Sequence, residues 1–212
     1  MNINYDQLSE IKKELNEYPE AKLQIVTKNR EEKVVRELID EGYFIFGENK
    51  VQEALEKWTD IKKKNDKINL HLIGKLQTNK VKFALKIFDY IHSLDNEKLA
   101  KKISDEQEKQ NKKPKIFIQI NLGEEVQKSG IVKENLLDFY KFSKDLNLNV
   151  IGLMCIPPFE EDSSQYFSKM SELNKIINLN ELSMGMSSDY LNALEYNSTY
   201  LRIGSNIFGQ RG

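Results

Sequence analysis

The alternation of short apolar runs with longer stretches of helical period constrains this chain more than any other feature. Eight runs of four or five residues are rich in β-branched and large apolar side chains, which is typical of buried strands. They lie at residues 23–27, 43–46, 70–73, 90–93, 116–120, 150–154, 181–184 and 200–203. Between them, apolar residues recur at the spacing of one helix face, as Val34, Val35, Leu38 and Ile39 do within residues 31–41.

Strands that alternate with helices predict parallel β-α-β units. Eight such units predict an α/β fold, a closed (β/α)₈ barrel of the TIM type, in which residues 1–212 form a single domain near the short end of the usual size range. An open, doubly wound sheet is the alternative, although it usually contains fewer strands. An extra helix is predicted before the first strand, at residues 6–16, and others at residues 96–110, 134–146 and 164–177.

Composition narrows the class of protein. Hydrophobic residues make up 39% and charged residues 31% of the chain, and the formal net charge is −1, so we expect a soluble protein with no nucleic-acid partner. No apolar run approaches the roughly 20 residues of a membrane span, and the first residues do not resemble a secretion leader. The single cysteine, Cys155, fits a reducing compartment. We therefore expect a cytoplasmic protein that has no membrane contact.

Few residues are suited to metal or triad chemistry. His71, His92 and Cys155 are the only soft or borderline metal ligands, and no two of them have a ligand spacing, so no metal site is predicted. The chain has no G-x-S-x-G elbow. Both histidines fall in short apolar runs, where a buried core role is expected. The chemistry must then come from lysine, from carboxylates or from a cofactor.

In a barrel of this type the functional site lies where the strands end and in the loops that follow them. Lys28 comes at the end of the first predicted strand. A lysine is ordinarily an exposed surface residue, but one at a barrel mouth is partly desolvated, which favours the neutral amine that attacks carbonyl compounds. A Schiff-base lysine is therefore one hypothesis for Lys28.

Two glycine-containing turns follow the seventh and eighth predicted strands, at residues 185–189 and 204–209. This is where barrels of this type bind phosphate, through backbone N–H groups and hydroxyls at helix starts. Ser187 and Ser205 are the candidate contacts, with ordinary helix capping as the alternative. Gln210 stands where a P-loop would need its lysine motif, so the second turn is not a P-loop.

Two further polar residues fall near the expected barrel mouth. Arg202 is one of only four arginines and precedes Gly204 by two residues, so it points into or beside the mouth; a surface ion pair is the alternative. Asn49 follows the second strand and is expected either to contact a ligand edge or to cap the next helix.

The motifs along the chain resemble those of the pyridoxal phosphate homeostasis proteins, single-domain relatives of the alanine racemase barrel. F-G-E-N-x-V-Q-E at residues 46–53 and H-x-I-G-x-L-Q-x-N-K at residues 71–80 are the most specific. The chain departs from the family in having Asn29 and Arg30 after its lysine, Lys75 within the second motif and Ser188 after Ser187. The other matching segments are residues 25–28, 128–130, 152–154, 183–187 and 202–211.

The resemblance implies a cofactor, pyridoxal 5′-phosphate, held as an internal aldimine on Lys28. It also implies that Ser187, Gly204 and Ser205 hold the phosphate, that Arg202 faces the pyridine nitrogen and that Asn49 lies near the ring. A guanidinium beside that nitrogen disfavours its protonation, and an unprotonated ring is a weak electron sink.

The expected function is therefore to carry or buffer pyridoxal phosphate and to maintain vitamin B6 and amino/keto acid balance without turnover. Racemases of this barrel class take a second base from a C-terminal domain and a partner subunit, and the chain is expected to lack that domain. We expect a monomer whose partners are the cofactor and apo enzymes that receive it. The alternatives are a small pyridoxal phosphate-dependent racemase or lyase, and a barrel that binds another phosphorylated metabolite.

Overall fold

Eight parallel strands form a closed barrel in the computed structural model, which describes residues 3–123, 129–158 and 161–209. Each strand pairs with the next along the chain, and β8 pairs with β1 to close the barrel. Lys128, Gln210 and Arg211, which belong to the motifs quoted above, lie outside the described residues. The strands are β1 (Lys22–Val26), β2 (Ile45–Glu48), β3 (Asn69–Leu72), β4 (Tyr90–Leu94), β5 (Lys115–Gln119), β6 (Asn149–Met154), β7 (Glu181–Met186) and β8 (Tyr200–Ile203).

Helices surround the barrel, and α2 to α8 lie between successive strands. Among the described residues they are α1 (Tyr5–Leu15), α2 (Glu32–Asp40), α3 (Val51–Lys64), α4 (Val81–Ala84), α5 (Glu97–Gln110), α6 (Leu136–Asp145), α7 (Ser163–Ile176), α8 (Tyr190–Glu195) and α9 (Ser205–Phe208). The start of α1, α5 and α7 is fixed by a side-chain cap, from Asn4, Asn96 and Asp162 respectively.

Asparagine, rather than glycine, ends several of these helices. Asn111, Asn147, Asn178 and Asn197 each follow a helix and have φ between 48° and 64°. This left-handed conformation turns the chain out of the helix, and asparagine tolerates it better than other residues with a side chain. The asparagines thus set where α5, α6, α7 and α8 give way to the next strand.

The predicted barrel is confirmed, and so is the extra N-terminal helix. Helix α1 packs near the end of the chain, where the Tyr190 hydroxyl donates to Glu14 Oε2 at 2.6 Å and the Asn4 N–H donates to the Ile207 carbonyl at 2.8 Å. The second strand, however, begins and ends two residues later than predicted, because Gly47 and the buried Glu48 belong to it.

Apolar side chains fill the space between the barrel and the surrounding helices, with Trp58, Phe46 and Phe167 among the largest that are fully buried. The inside of the barrel is different, because it contains a smaller group of aromatic and polar side chains that includes His71 and His92. No helix in the described part of the chain has both the length and the apolar character needed to cross a membrane.

Candidate functional site

A cavity of about 430 Å³ opens at the carboxyl ends of β1, β7 and β8. Its lining includes Lys28, Asn49, Ser187, Arg202, Gly204 and Ser205, so the structure brings together all six residues singled out from the sequence. A larger cavity, of about 740 Å³, is lined by the N-terminal residues Ile3 and Tyr5, by residues 29–31 after β1 and by residues of α2. We take the smaller cavity as the candidate site because it occupies the position at which barrels of this type act.

Lys28 lies in a turn two residues beyond the end of β1, not at the strand end itself as predicted. The turn is closed by a hydrogen bond from the Arg30 N–H to the Thr27 carbonyl at 3.0 Å. Asn29 has a φ of 59°, in the region that glycine and asparagine adopt most readily at the third position of such a turn. The turn thus carries Lys28, which is half-buried, out of the strand and into the cavity lining.

Beneath this turn, the buried carboxylate of Glu48 accepts three hydrogen bonds at Oε1. The donors are the Thr27 hydroxyl at 2.7 Å, Lys57 Nζ at 2.9 Å and Trp58 Nε1 at 2.9 Å. Lys57 Nζ also donates to Glu53 Oε1 at 3.1 Å. These contacts join the ends of β1 and β2 to the first turns of α3.

The turns after β7 and β8 meet at Ser187. Its hydroxyl oxygen accepts the N–H groups of Gly204 and Asn206, both at 3.3 Å, and its carbonyl accepts Asn206 Nδ2 at 3.1 Å. The capping alternative is wrong for Ser187, because α8 starts at Tyr190 and Asp189 precedes it. The capping alternative is wrong for Ser205 as well, because Gly204 is the residue that precedes the single-turn α9 and Ser205 is the first residue within it.

Arg202 is buried, with only 5% of its surface exposed, so the surface ion-pair alternative is wrong. Its Nη1 donates to the carbonyl and the hydroxyl of Ser183, at 2.6 and 2.7 Å, and its Nη2 donates to the Cys155 carbonyl at 2.8 Å. Burial lowers the pKa of the guanidinium from its usual value. The three bonds fix the plane of the guanidinium where it borders the cavity.

The two histidines continue this chain of hydrogen bonds into the barrel. His92 Nδ1 lies 2.9 Å from the Ser183 hydroxyl, and His92 Nε2 lies 2.9 Å from His71 Nδ1. Burial holds the pKa of both imidazoles well below the usual range, so both are neutral at physiological pH. Neither lines the cavity, in agreement with the core role expected from the sequence.

Asn49 is half-buried and lines both the candidate site and a third cavity, of about 350 Å³. It does not cap α3, because Lys50 is the residue that precedes the helix. A Cβ atom at Gly74 would come within 2.2 Å of the Asn49 carbonyl oxygen, so only glycine fits beside this backbone.

Sequence reasoning missed the residues beneath the Lys28 turn. The sequence assigns no role to Thr27 or Lys57, and it presents Glu48 and Glu53 only as part of the motif at residues 46–53. The available signal is Glu48 itself, two residues after the apolar run that ends at Phe46, since a carboxylate that continues such a run needs cationic and hydrogen-bonding partners.

Comparisons with known proteins agree on the family that the chain resembles. Residues 4–212 match the family described as alanine racemase, N-terminal domain. The pyridoxal phosphate homeostasis protein of Aquifex aeolicus is 39% identical over 201 residues, which cover 90% of this chain and 87% of that protein. The structure of PipY from Synechococcus elongatus with PLP bound is 30% identical and has a TM-score of 0.87, with 96% of this chain and 99% of that one covered.

The fold is also similar to that of larger proteins. The alanine racemase of Clostridium difficile has a TM-score of 0.77 at 14% identity, and the match covers 97% of this chain but 56% of the racemase. At that identity the likeness concerns the barrel alone.

Proposed function

The chain belongs to the alanine racemase N-terminal domain family, among relatives known as pyridoxal phosphate homeostasis proteins, and on this premise we propose that it binds pyridoxal phosphate at the barrel mouth and holds it without turnover. The observation that carries the proposal is the convergence of a lysine, two serine-bearing turns and a buried arginine on one cavity of about 430 Å³. That combination suits a ligand with an aldehyde, a phosphate and a ring nitrogen.

The phosphate end fits the turns after β7 and β8. The N–H groups of Gly204 and Asn206 reach the Ser187 hydroxyl at 3.3 Å, longer than the usual 2.9–3.0 Å for such bonds. Phosphate oxygens are stronger acceptors for these donors than a neutral hydroxyl. With the hydroxyls of Ser187 and Ser205, the turns offer at least four donors to an anion.

Lys28 is the only lysine that lines the cavity within the described ranges. Pyridoxal phosphate, when bound, supplies an aldehyde that reacts reversibly with amines and a ring that withdraws electrons from the carbon attached to the new bond. Lys28 is the residue that would hold the aldehyde end of the cofactor, through a C=N bond between its Nζ and the aldehyde carbon, with the aldehyde oxygen lost as water. Lys28 thereby serves as the covalent attachment point.

Arg202 is the residue assigned to the ring nitrogen. Its guanidinium has donors but no acceptor, and Ser183 and Cys155 already fix its orientation. Because two adjacent positive charges repel each other, this arginine would keep a neighbouring pyridine nitrogen unprotonated. Asn49, which follows β2 and lines the same cavity, would lie beside the ring.

The lining also supports a holding role. In the described parts of the chain, the cavity lining contains Lys28, Arg30 and Arg202 but no carboxylate, histidine, tyrosine or cysteine. Arginine cannot accept a proton at physiological pH. Lys28 is then the one group available as a base, whereas racemisation requires bases on both faces of the substrate carbon. We propose that the protein carries the cofactor in the cytoplasm and releases it to apo enzymes.

The test is hydrogen–deuterium exchange at the α-carbon of alanine. Protein saturated with pyridoxal phosphate, as judged by visible absorbance during titration, is incubated with L-alanine in D₂O and followed by NMR. An unprotonated ring is a weak electron sink, so exchange should be far slower than the turnover of typical enzymes, which is about 10 per second, and a base on one face alone should form no D-alanine. Exchange at about one per second, or formation of D-alanine, would contradict the holding role, and failure of the protein to bind the cofactor would contradict the proposal as a whole.

A further inference from the structure

The turn that carries Lys28 makes three hydrogen bonds to an ionic cluster, defined here as Glu48, Glu53 and Lys57. The Thr27 hydroxyl donates to Glu48 Oε1 at 2.7 Å, and Lys57 Nζ donates to the Thr27 carbonyl at 2.7 Å. The Asn29 N–H donates to Glu53 Oε1. The residues on both sides of Lys28 are therefore held by the same cluster.

The charged groups of the ionic cluster pair with one another, and two of its three side chains are buried. The side chain of Glu48 is completely buried, that of Lys57 is 7% exposed, and the two meet at 2.9 Å. Lys57 also meets Glu53 at 3.1 Å, and the side chain of Glu53 is 23% exposed. None of the three lines the cavity of about 430 Å³ in the described part of the chain.

A buried ion pair is poor evidence for stability, because the desolvation of both charges offsets most of their attraction. The contacts of this pair suggest another role. The polar atoms of the ionic cluster bond to the backbone and to one side chain of the four-residue turn that carries Lys28. That turn includes Asn29, whose backbone φ of 59° must be held by its surroundings.

We propose that the ionic cluster positions Lys28 for covalent attachment of the cofactor. Glu53, through the Asn29 N–H, and Lys57, through the Thr27 carbonyl, fix the backbone from which the lysine side chain projects, so that its amine meets the aldehyde carbon at the right place. Displacement of a reacting group by about 1 Å is enough to weaken such a step strongly. The inference rests on the proposed function, since it concerns the reaction of Lys28 with an aldehyde.

Glu53 is the best position for a test, because its removal leaves the Glu48–Lys57 pair intact. Affinity is measured by titration calorimetry for two probes, pyridoxal phosphate and deoxypyridoxine phosphate, in which a methyl group replaces the aldehyde. The variants are Glu53→Ala, Glu53→Gln, which keeps an oxygen acceptor for the Asn29 N–H, and Glu56→Ala. Glu56 is an exposed residue of the same helix and serves as the matched control.

The positioning role predicts a selective effect. Glu53→Ala should weaken the binding of pyridoxal phosphate by about tenfold, the effect of losing one hydrogen bond to a charged group, and change that of deoxypyridoxine phosphate by less than about twofold. Glu53→Gln should restore most of the loss, and Glu56→Ala should leave both affinities unchanged. Thermal melting checks that each variant is folded.

Two results would overturn the inference: an equal loss of affinity for both probes in Glu53→Ala, which indicates a general structural role, and no loss for either. A failure of the proposed function gives a different result. In that case the unaltered protein binds the aldehyde and the methyl analogue equally weakly, before any substitution is compared.

Discussion

The Ser187 side chain joins the turns that follow β7 and β8. Its hydroxyl accepts two N–H groups from the turn after β8, while its own chain position is in the turn after β7. This contact holds the two turns together and directs the two N–H groups to one point, where an anion would also accept them. Ser205 adds an exposed hydroxyl at the start of α9.

Replacement of both serines by aspartate, Ser187→Asp with Ser205→Asp, should reduce the affinity for pyridoxal phosphate by at least about 100-fold. Two carboxylates facing a phosphate replace hydrogen bonds by like-charge repulsion, and a repulsive contact of this kind costs several kcal/mol. Titration followed by visible absorbance measures the affinity.

The control for this pair adds the same charge elsewhere, in Ser9→Asp with Thr59→Asp, two exposed positions on α1 and α3. Its affinity should equal that of the unaltered protein. If the Ser187 and Ser205 variant binds as tightly as this control, the phosphate lies elsewhere.

At the scale of single residues, the sequence predicted those site residues whose location depends only on their position after a strand. Lys28, Ser187 and Ser205 follow strands, and in a barrel that fact alone brings them to one mouth. The contact between Glu53 and the Asn29 N–H joins positions 24 residues apart through a half-buried side chain. No periodicity encodes such a contact, because it depends on how the start of α3 lies beside the turn that follows β1.

The ends of strands and helices could be predicted from the sequence where they coincide with the ends of an apolar pattern. Strand β2 was placed two residues early because Tyr43 and Phe44 continue its apolar run, whereas the structure extends it through Gly47 and Glu48. A glycine and a carboxylate are unusual in a buried strand, and Glu48 is tolerated there because Lys57 and Trp58 bond to it. The apolar pattern of one strand carries no information about hydrogen-bonding partners that lie on another element.

The pairing of β6 with β7 offers a test at the scale of elements. A Cβ atom at Gly152 would lie 1.8 Å from the Glu181 carbonyl oxygen, which is backbone and cannot move without parting the strands. Gly152→Ala should therefore lower the free energy of unfolding by about 3 kcal/mol or more, at the upper end of overpacking costs. Urea denaturation measures the loss.

Gly204→Ala is the comparison for this substitution, because the nearest atoms to its Cβ, on Val26, are 3.3 Å away. It should cost about 1 kcal/mol or less, since a neighbour has to shift by only a few tenths of an ångström. Equal losses in the two variants would mean that the close approach of β6 and β7 does not limit stability.

At the scale of the whole molecule, the barrel encloses polar side chains. Because some of these are titratable, the free energy of unfolding depends on pH. His71 and His92 are buried and neutral, with pKa values well below the usual 6.5. In the unfolded chain both regain a pKa of about 6.5, so below that pH the unfolded state binds protons that the folded state does not. Their contribution to stability is therefore complete above about pH 6.5 and falls as the pH is lowered.

Each histidine should contribute a slope of about 1.4 kcal/mol per pH unit below its unfolded pKa. His71→Gln should remove about half of the combined slope between about pH 6 and pH 5, a window above the ordinary titration of carboxylates. Urea denaturation at a series of pH values measures it for both proteins. An identical slope in the variant would show that His71 is not buried in its neutral form.

The whole barrel was predictable because eight repeated units impose one topology, and the chemistry at its mouth was predictable because that topology fixes where strands end. The hydrogen-bonded chain from Arg202 through Ser183 to the histidines was not, since it crosses the barrel between β8, β7, β4 and β3. Contacts across the interior depend on the stagger of the strands, which the apolar pattern does not specify.

The central claim, that Lys28 holds pyridoxal phosphate, is tested most directly by locating the bond. The loaded protein is reduced with borohydride, digested and mapped by mass spectrometry, alongside Lys28→Ala and the exposed-lysine control Lys75→Ala. The account predicts a pyridoxyl group on Lys28 in the unaltered protein and in the control, and loss of both the adduct and the visible absorbance in a folded Lys28→Ala. A stoichiometric adduct on another lysine, with Lys28 unmodified, would contradict it.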